Sequence, residues 1–215
     1  MSASAPAPVD PPDVSSQHQA LVELLRQEPR GSANRHRQQI QGLIQTLEQH
    51  RPADLATPAS LELLEGVWEL RWSSSQQPYL AVGPWLDNLQ LLSPSQGLGM
   101  NLLRLAGPFA PLVSIAVEAA ITVEPSTTPP GAGSSPRQRV QVRFQRGGWL
   151  GPALGAGRLQ LLRRVQQSFT AWLDITVLDH DLRICRGQAG TLFALVRRHD
   201  LNLEAMLLPE MEPQD

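Results

Sequence analysis

The sequence contains no lysine; all eighteen of its cationic side chains are arginine. Schiff-base chemistry, amine nucleophiles and the lysine of a phosphate-binding loop are therefore excluded at the outset. Cysteine is almost as scarce. With Cys185 alone, the chain can form neither an internal disulfide nor a C-x-x-C zinc or redox pair. A reducing, intracellular setting is the default expectation. No stretch approaches eighteen consecutive uncharged apolar residues, so no helical membrane span is expected. Charge of one sign is not in excess either: eighteen cations against twenty anions give a formal net charge of -2, which speaks against a nucleic-acid partner. The patterns G-x-S-x-G, H-E-x-x-H and the phosphate loop do not occur. The five histidines, at 18, 36, 50, 180 and 199, lack ligand spacing. No catalytic residue, metal site or cofactor is nominated, and the chain is not read as an enzyme.

What is present is a chain of 215 residues with 41% hydrophobic side chains, enough for one packed domain with a helical extension. Residues 1–16, rich in Ser, Ala and Pro, hold two Asp and no Arg. They read as a disordered tail and not as an import or secretion signal. Ser16 and Gln19 have capping-box spacing for a short helix carrying Leu21, Leu24 and Leu25 on one face, broken by Pro29 and Gly31. A second helix is expected from about Ala33 to His50, with the stripe Ile40, Leu43, Ile44 and Leu47. Residues 17–60 form this helical lead-in, each helix needing something larger against which to bury its stripe, the main domain or a partner protein. From Glu65 the hydrophobic period changes from 3.6 to 2. Alternation over Val67–Trp72, Val113–Val123, Val140–Phe144 and Leu173–Val177, with shorter apolar runs at Leu86–Leu92, Leu102–Leu105, Leu182–Cys185 and Leu192–Val196, predicts eight or nine strands. Turn signals separate them at Ser93-Pro94, Gly107-Pro108, Pro125–Pro136, Gly147-Gly148, Gly151-Pro152 and Arg186-Gly187. Short strands without intervening helices indicate an antiparallel barrel or sandwich over residues 61–200, followed by a tail, 201–215.

Gly66-Val67-Trp68 opens the first strand, as G-x-W opens lipocalin-type barrels; its indole can close a barrel floor, with Arg183, Arg186 or Arg197 stacked on it, or is a core tryptophan after a helix-ending glycine. Gly97-Leu98-Gly99-Met100 lacks a third glycine and a following helix, which removes a phosphate-binding reading. The nearly uncharged run 97–113 is either a lip for a membrane surface or a buried strand pair around a turn. Asp179, Asp181, Arg183 and Arg186 are candidate polar anchors for a ligand, or else ordinary turn residues pairing across a bend. Cys185 reads as a buried small apolar residue.

The segment 172–198 resembles the C-terminal signature of the plastid lipid-associated protein (PAP)/fibrillin family, through Leu178-Asp179, Leu182-Arg183-Ile184, Arg186-Gly187 and Leu192-Phe193-Ala194-Leu195. The family's opening is matched by Leu64, Gly66, Trp68 and Ser73–Ser75, and its lead-in by Arg30-Gly31, Ile40 and Leu47-Glu48. The resemblance spans about residues 20–198; Val177 stands where the family carries tyrosine, and Gln188-Ala189 where it often carries charge. It implies a mainly β fold, a lipocalin-like antiparallel β-barrel preceded by two short N-terminal helices. It also implies non-enzymatic binding of isoprenoid lipids such as quinones or carotenoids, peripherally on the cytoplasmic side of a thylakoid membrane, in a cyanobacterial-type member. In a lipid binder the aromatic residues Trp68, Trp72, Tyr79, Trp85, Phe144, Trp172 and Phe193 are the expected lipid contacts, because such rings suit cavities and interfaces, with ordinary core packing as the alternative. The alternative is a filled barrel that recruits a partner protein, for example an enzyme of prenyl-quinone synthesis.

Overall fold

Alternation of apolar and polar side chains after Glu65 produces nine strands, all paired antiparallel in one sheet. The computed structural model describes residues 13–75, 77, 82–107, 114–124, 138–154, 157–166 and 171–207. The strands are β1 (Gly66–Ser73), β2 (Leu86–Ser93), β3 (Leu98–Leu105), β4 (Ser114–Glu124), β5 (Gln138–Leu154), β6 (Gly157–Arg164), β7 (Ala171–Leu178), β8 (Leu182–Gly187) and β9 (Leu192–Arg197). Their order, β4-β3-β2-β1-β9-β8-β7-β5-β6, with β4 also paired to β5, closes the sheet into a ring. Closure removes the free edges that an open sheet would present. The ring itself uses eight strands, and β6 hangs outside the circuit on β5.

β5 makes this possible by its length. Residues 138–142 pair with β7 and complete the ring, whereas 146–154 pair with β6. The sequence reading placed turns at Gly147-Gly148 and Gly151-Pro152, and the structure corrects it: the strand runs through both. Gly148 has φ +157, and a Cβ there would lie 2.1 Å from the Leu161 carbonyl oxygen. These glycines allow close strand approach and do not end the strand. β6 was not predicted at all, since Arg163-Arg164 and the lack of β-branched residues weaken its signal. The expected loop Pro125–Pro136 lies outside the described residues, as do residues 1–12 of the expected tail and 108–113 of the apolar run.

The helical region is more extensive than expected. Helix α1 covers Val14–Arg26, so it starts inside the segment read as a tail. Ser16 donates its hydroxyl to the Asp13 carbonyl, and Gln19 pairs with Glu23 on the helix flank in place of a capping box. A 3-10 turn at Ser32–His36 leads into α2 (Arg37–His50). A third helix, α3 (Pro58–Leu64), was missed, although Thr57 at its N-cap, accepting from the Ser60 amide at 3.2 Å, and Pro58 at the first helical position are a standard start signal. The C-terminal tail also has structure through residue 207: α4 (Leu203–Met206) is capped by Asn202.

Three apolar clusters follow from this layout. The α1 and α2 stripes, Leu21, Leu24, Leu25, Ile40, Ile44 and Leu47, are buried against the outer face of β7, β8 and β9, on Val177, Leu182, Ile184, Ala194 and Val196. Leu201, Leu203, Met206 and Leu207 cover a second outer patch formed by Val67, Leu89, Leu91, Met100 and Leu102. The third cluster fills one end of the barrel interior with Leu64, Trp68, Leu70, Ile175 and Leu195.

A buried ionic network ties the lead-in to the barrel. Glu69 of β1 lies within salt-bridge distance of Arg30, Arg71 and Arg198, and Arg30 also reaches Asp87 of β2. Burial pushes the Glu69 carboxyl up, but the hydrogen bond from Arg30 and the charges of Arg71, Arg30 and Arg198 outweigh it and hold the group below the ordinary carboxylate range. Gly31, beside Arg30, has φ +88, and a Cβ would sit 2.7 Å from the Val82 carbonyl oxygen. The Arg30-Gly31 pair thus combines a charge partner for β1 with a tight backbone approach.

Candidate functional site

Period-two alternation builds the inner face of the ring. β4 contributes Val117, Ala119 and Ile121, and β5 contributes Val140, Val142 and Phe144. Leu173 and Ile175 of β7, the strand next to β5, continue this wall, and Phe193 of β9 lies across the ring. Between these walls is a cavity of about 390 Å³, within the usual range for small-molecule sites. Gln77, Gln188 and Thr191 border it on the side of the β8–β9 turn.

The opposite end is closed from below. Trp68 is fully buried there, and its Nε1 donates to the Leu64 carbonyl at 2.9 Å. Arg197 lies over the indole at 4.2 Å from the ring centroid. Its guanidinium donates to three carbonyls: His180 at 2.8 Å, Glu65 at 2.6 Å, and Leu63. Gly66, at φ +139, leaves the space this needs, because a Cβ would come 2.3 Å from Arg197 Nη1. The G-x-W motif and the late-strand arginine therefore form one floor.

Three polar side chains lie on the cavity face: Gln90, Asn101 and Arg183. Arg183 is 1% exposed, with its guanidinium 5.1 Å from the Trp68 centroid. Its Nη2 donates to Gln90 Oε1, whereas Nε and Nη1 have no hydrogen-bond partner. Burial pushes this guanidinium below its ordinary value, yet arginine starts so high that it stays cationic. Burial also pushes the nearby Cys185 thiol up, which keeps it protonated and inert.

The strands on one side continue past the ring. Register pairs Leu103 with Ile115, Ile115 with Trp149 and Trp149 with Leu161, in line with the cavity-facing positions of β4. Ile115 is 53% and Leu161 62% exposed. The apolar inner face thus runs out of the cavity onto an uncovered strip across β3, β4, β5 and β6.

Of the residues expected to contact a ligand, Phe144, Phe193, Trp172 and Arg183 border the cavity. Trp172 does so with a qualification: its register position opposite Gln141 is on the outer face, where Arg139 stacks 3.7 Å from its ring centroid. Trp68 forms the floor and is not among the residues that border the cavity. Trp72 points outward under the helices, because a bulge between Leu70 and Trp72 shifts the alternation by one residue. Trp85 is 78% exposed and does not line the cavity, and Tyr79 lies outside the described residues. Asp179 accepts from the Asp181 and Leu182 amides at 2.9 Å each, holding the β7–β8 turn. Asp181 pairs with Arg26 of α1 and Arg186 with Glu48 of α2, so these three anchor helices and a turn. Gln90 was missed because Leu89 and Leu91 mark the opposite face as apolar; in fact they pack under the C-terminal segment. Among the described residues, no three His, Cys, Asp or Glu side chains come together as a metal site, and no helix is long and apolar enough to cross a membrane.

A ring of antiparallel strands around an apolar cavity, floored by a tryptophan and two arginines, defines a lipocalin-like barrel. The PAP_fibrillin family model matches residues 15–196, most of the chain, and the protein belongs to this family of plastid lipid-associated proteins. No curated protein and no solved structure matches it.

Proposed function

We propose that this barrel binds one end of a long apolar lipid of isoprenoid type, a quinone, a carotenoid or a comparable chain, non-enzymatically at a membrane surface such as the thylakoid. The supporting observation is the continuity of one apolar face, from the cavity walls at Val117, Ile121, Val142 and Phe144 to the exposed strip at Ile115, Trp149 and Leu161. Each methylene removed from water contributes about 0.8 kcal/mol. A chain that fills the cavity therefore needs no catalytic group to be held, only shape and a polar anchor. The exposed strip favours either the remainder of the same chain or the acyl layer from which it is drawn.

Recruitment of a partner protein through the helices has less to rest on, because their apolar stripes are already buried on the barrel. Titration of the protein with a long-chain quinone, followed by intrinsic tryptophan fluorescence, tests the lipid reading. Saturable quenching at about one quinone per chain is expected. A flat trace across the soluble range of the quinone overturns it.

A further inference from the structure

Two arginines lie over the ring of Trp68, and only one has its donors answered. Arg197 places all three guanidinium nitrogens on backbone carbonyls. Arg183, deeper in the barrel, donates from Nη2 to the neutral Gln90 amide and leaves Nε and Nη1 without partners. A guanidinium carries five N–H donors and keeps its charge at any physiological pH. An unpaired buried charge is among the costliest arrangements in a protein interior.

No nearby carboxylate relieves it. The buried acids among the described residues are committed elsewhere: Glu69 to Arg30, Arg71 and Arg198, Asp87 to Arg30 and Arg104, and Asp174 to Arg139. The Cys185 sulfur beside Arg183 favours the cation and the like charge of Arg197 opposes it, but burial pushes the Cys185 thiol up and holds it protonated, so it supplies no counter-charge. Among the described residues the site has a cation, unused donors and an adjoining apolar cavity, but no anion.

We propose that Arg183 is the anchor for the acidic head of a single-chain lipid, a long-chain carboxylate that enters the cavity head first. This rests on the reading that the cavity holds a lipid chain, and narrows the ligand by its head group. The head accepts from the donors that Gln90 leaves free, in a charge-assisted pair. The chain rises along the wall that β4 and β5 form side by side with Val117, Ile121, Val142 and Phe144, with Phe193 of β9 across the ring. A cavity of about 390 Å³ holds about a dozen non-hydrogen atoms, at the ~30 Å³ that a water-sized group occupies in a liquid. A longer chain leaves past Asn101, which is exposed, and continues along Ile115 and Trp149. One cation with free donors matches one negative charge. A diphosphate head would bring at least one charge more than Arg183 can neutralise.

Isothermal titration calorimetry of the full chain near neutral pH, with dodecanoate, methyl dodecanoate and a neutral long-chain quinone in parallel, tests this. The acid is expected to bind at least about tenfold more tightly than its ester. Arg183→Met is expected to bring acid and ester within about twofold of each other, and Arg183→Lys to keep the preference for the acid. Equal binding of acid and ester by the unaltered protein overturns the proposal, as does an acid preference that survives Arg183→Met. If Arg183→Met fails to fold, the acid–ester comparison on the unaltered protein decides. Quinone binding with no advantage for the acid removes the anchor and leaves the lipid reading standing; no binding of any of the three removes both.

Discussion

Glu69 shows how one side chain serves three parts of the molecule. Its carboxylate receives Arg30 from the lead-in, Arg71 from its own strand and Arg198 from the segment after β9. Replacing it with glutamine leaves those guanidinium groups with a weaker acceptor and no counter-charge. Glu69→Gln is expected to destabilise the fold by about 3 kcal/mol, measured by urea denaturation. The same carboxylates set the acid limit. Glu69 and Asp181 titrate below their ordinary values in the folded protein, and Asp200, hydrogen-bonded by Arg198, falls to about 2. Because the folded values are depressed, the stabilisation is present above the ordinary values of 4.5 for Glu and 3.8 for Asp and is lost as the pH falls through the folded ones. The urea midpoint should hold steady through neutral pH and drop between about pH 4 and pH 2. A midpoint that rises as the pH falls through this range would contradict the network.

At the scale of elements, β5 decides whether the sheet closes. Residues 138–142 pair with β7 and complete the ring, and residues 146–154 carry β6. Gly148 sits where β5 and β6 come closest, and both its positive φ and the nearby Leu161 carbonyl exclude a side chain. Gly148→Ala is expected to detach β6 and spare the ring. Amide hydrogen exchange should then speed up across 157–164 while β8 and β9 keep their protection. Uniform loss of protection across all strands would mean that β6 is integral to closure. The bulge in β1 acts at the same scale. By shifting register after Leu70, it sends Trp72 to the helix side while Trp68 and Leu70 stay inside, which no reading of strict alternation anticipates.

In the molecule as a whole, helices and barrel share a core. Ile44 of α2 is fully buried in the cluster that contains Trp72, Leu182 and Ile184. Ile44→Ala should cost about 3 kcal/mol and lower the transitions seen by helical circular dichroism and by tryptophan fluorescence together. Separate transitions would show the lead-in to be an independent unit. Asp181–Arg26 and Arg186–Glu48 span the same boundary. Asp181 and Arg186 of the C-terminal signature therefore hold helices to strands, whereas Arg183 turns inward.

The sequence by itself determined the mainly antiparallel β character and the two amphipathic helices, because hydrophobic period and the placement of breaking residues are local properties; it offered Gly66-Val67-Trp68 as a floor without fixing which arginine stacks there. Tertiary structure alone decided which inward positions form the cavity, that β5 serves two partners, and that Arg183 is buried without a counter-charge. Each of these depends on strand register and on groups far apart in the chain, such as Gln90 beside Arg183. A period of two says that a side chain alternates; only the assembled ring says what lies on either side of it.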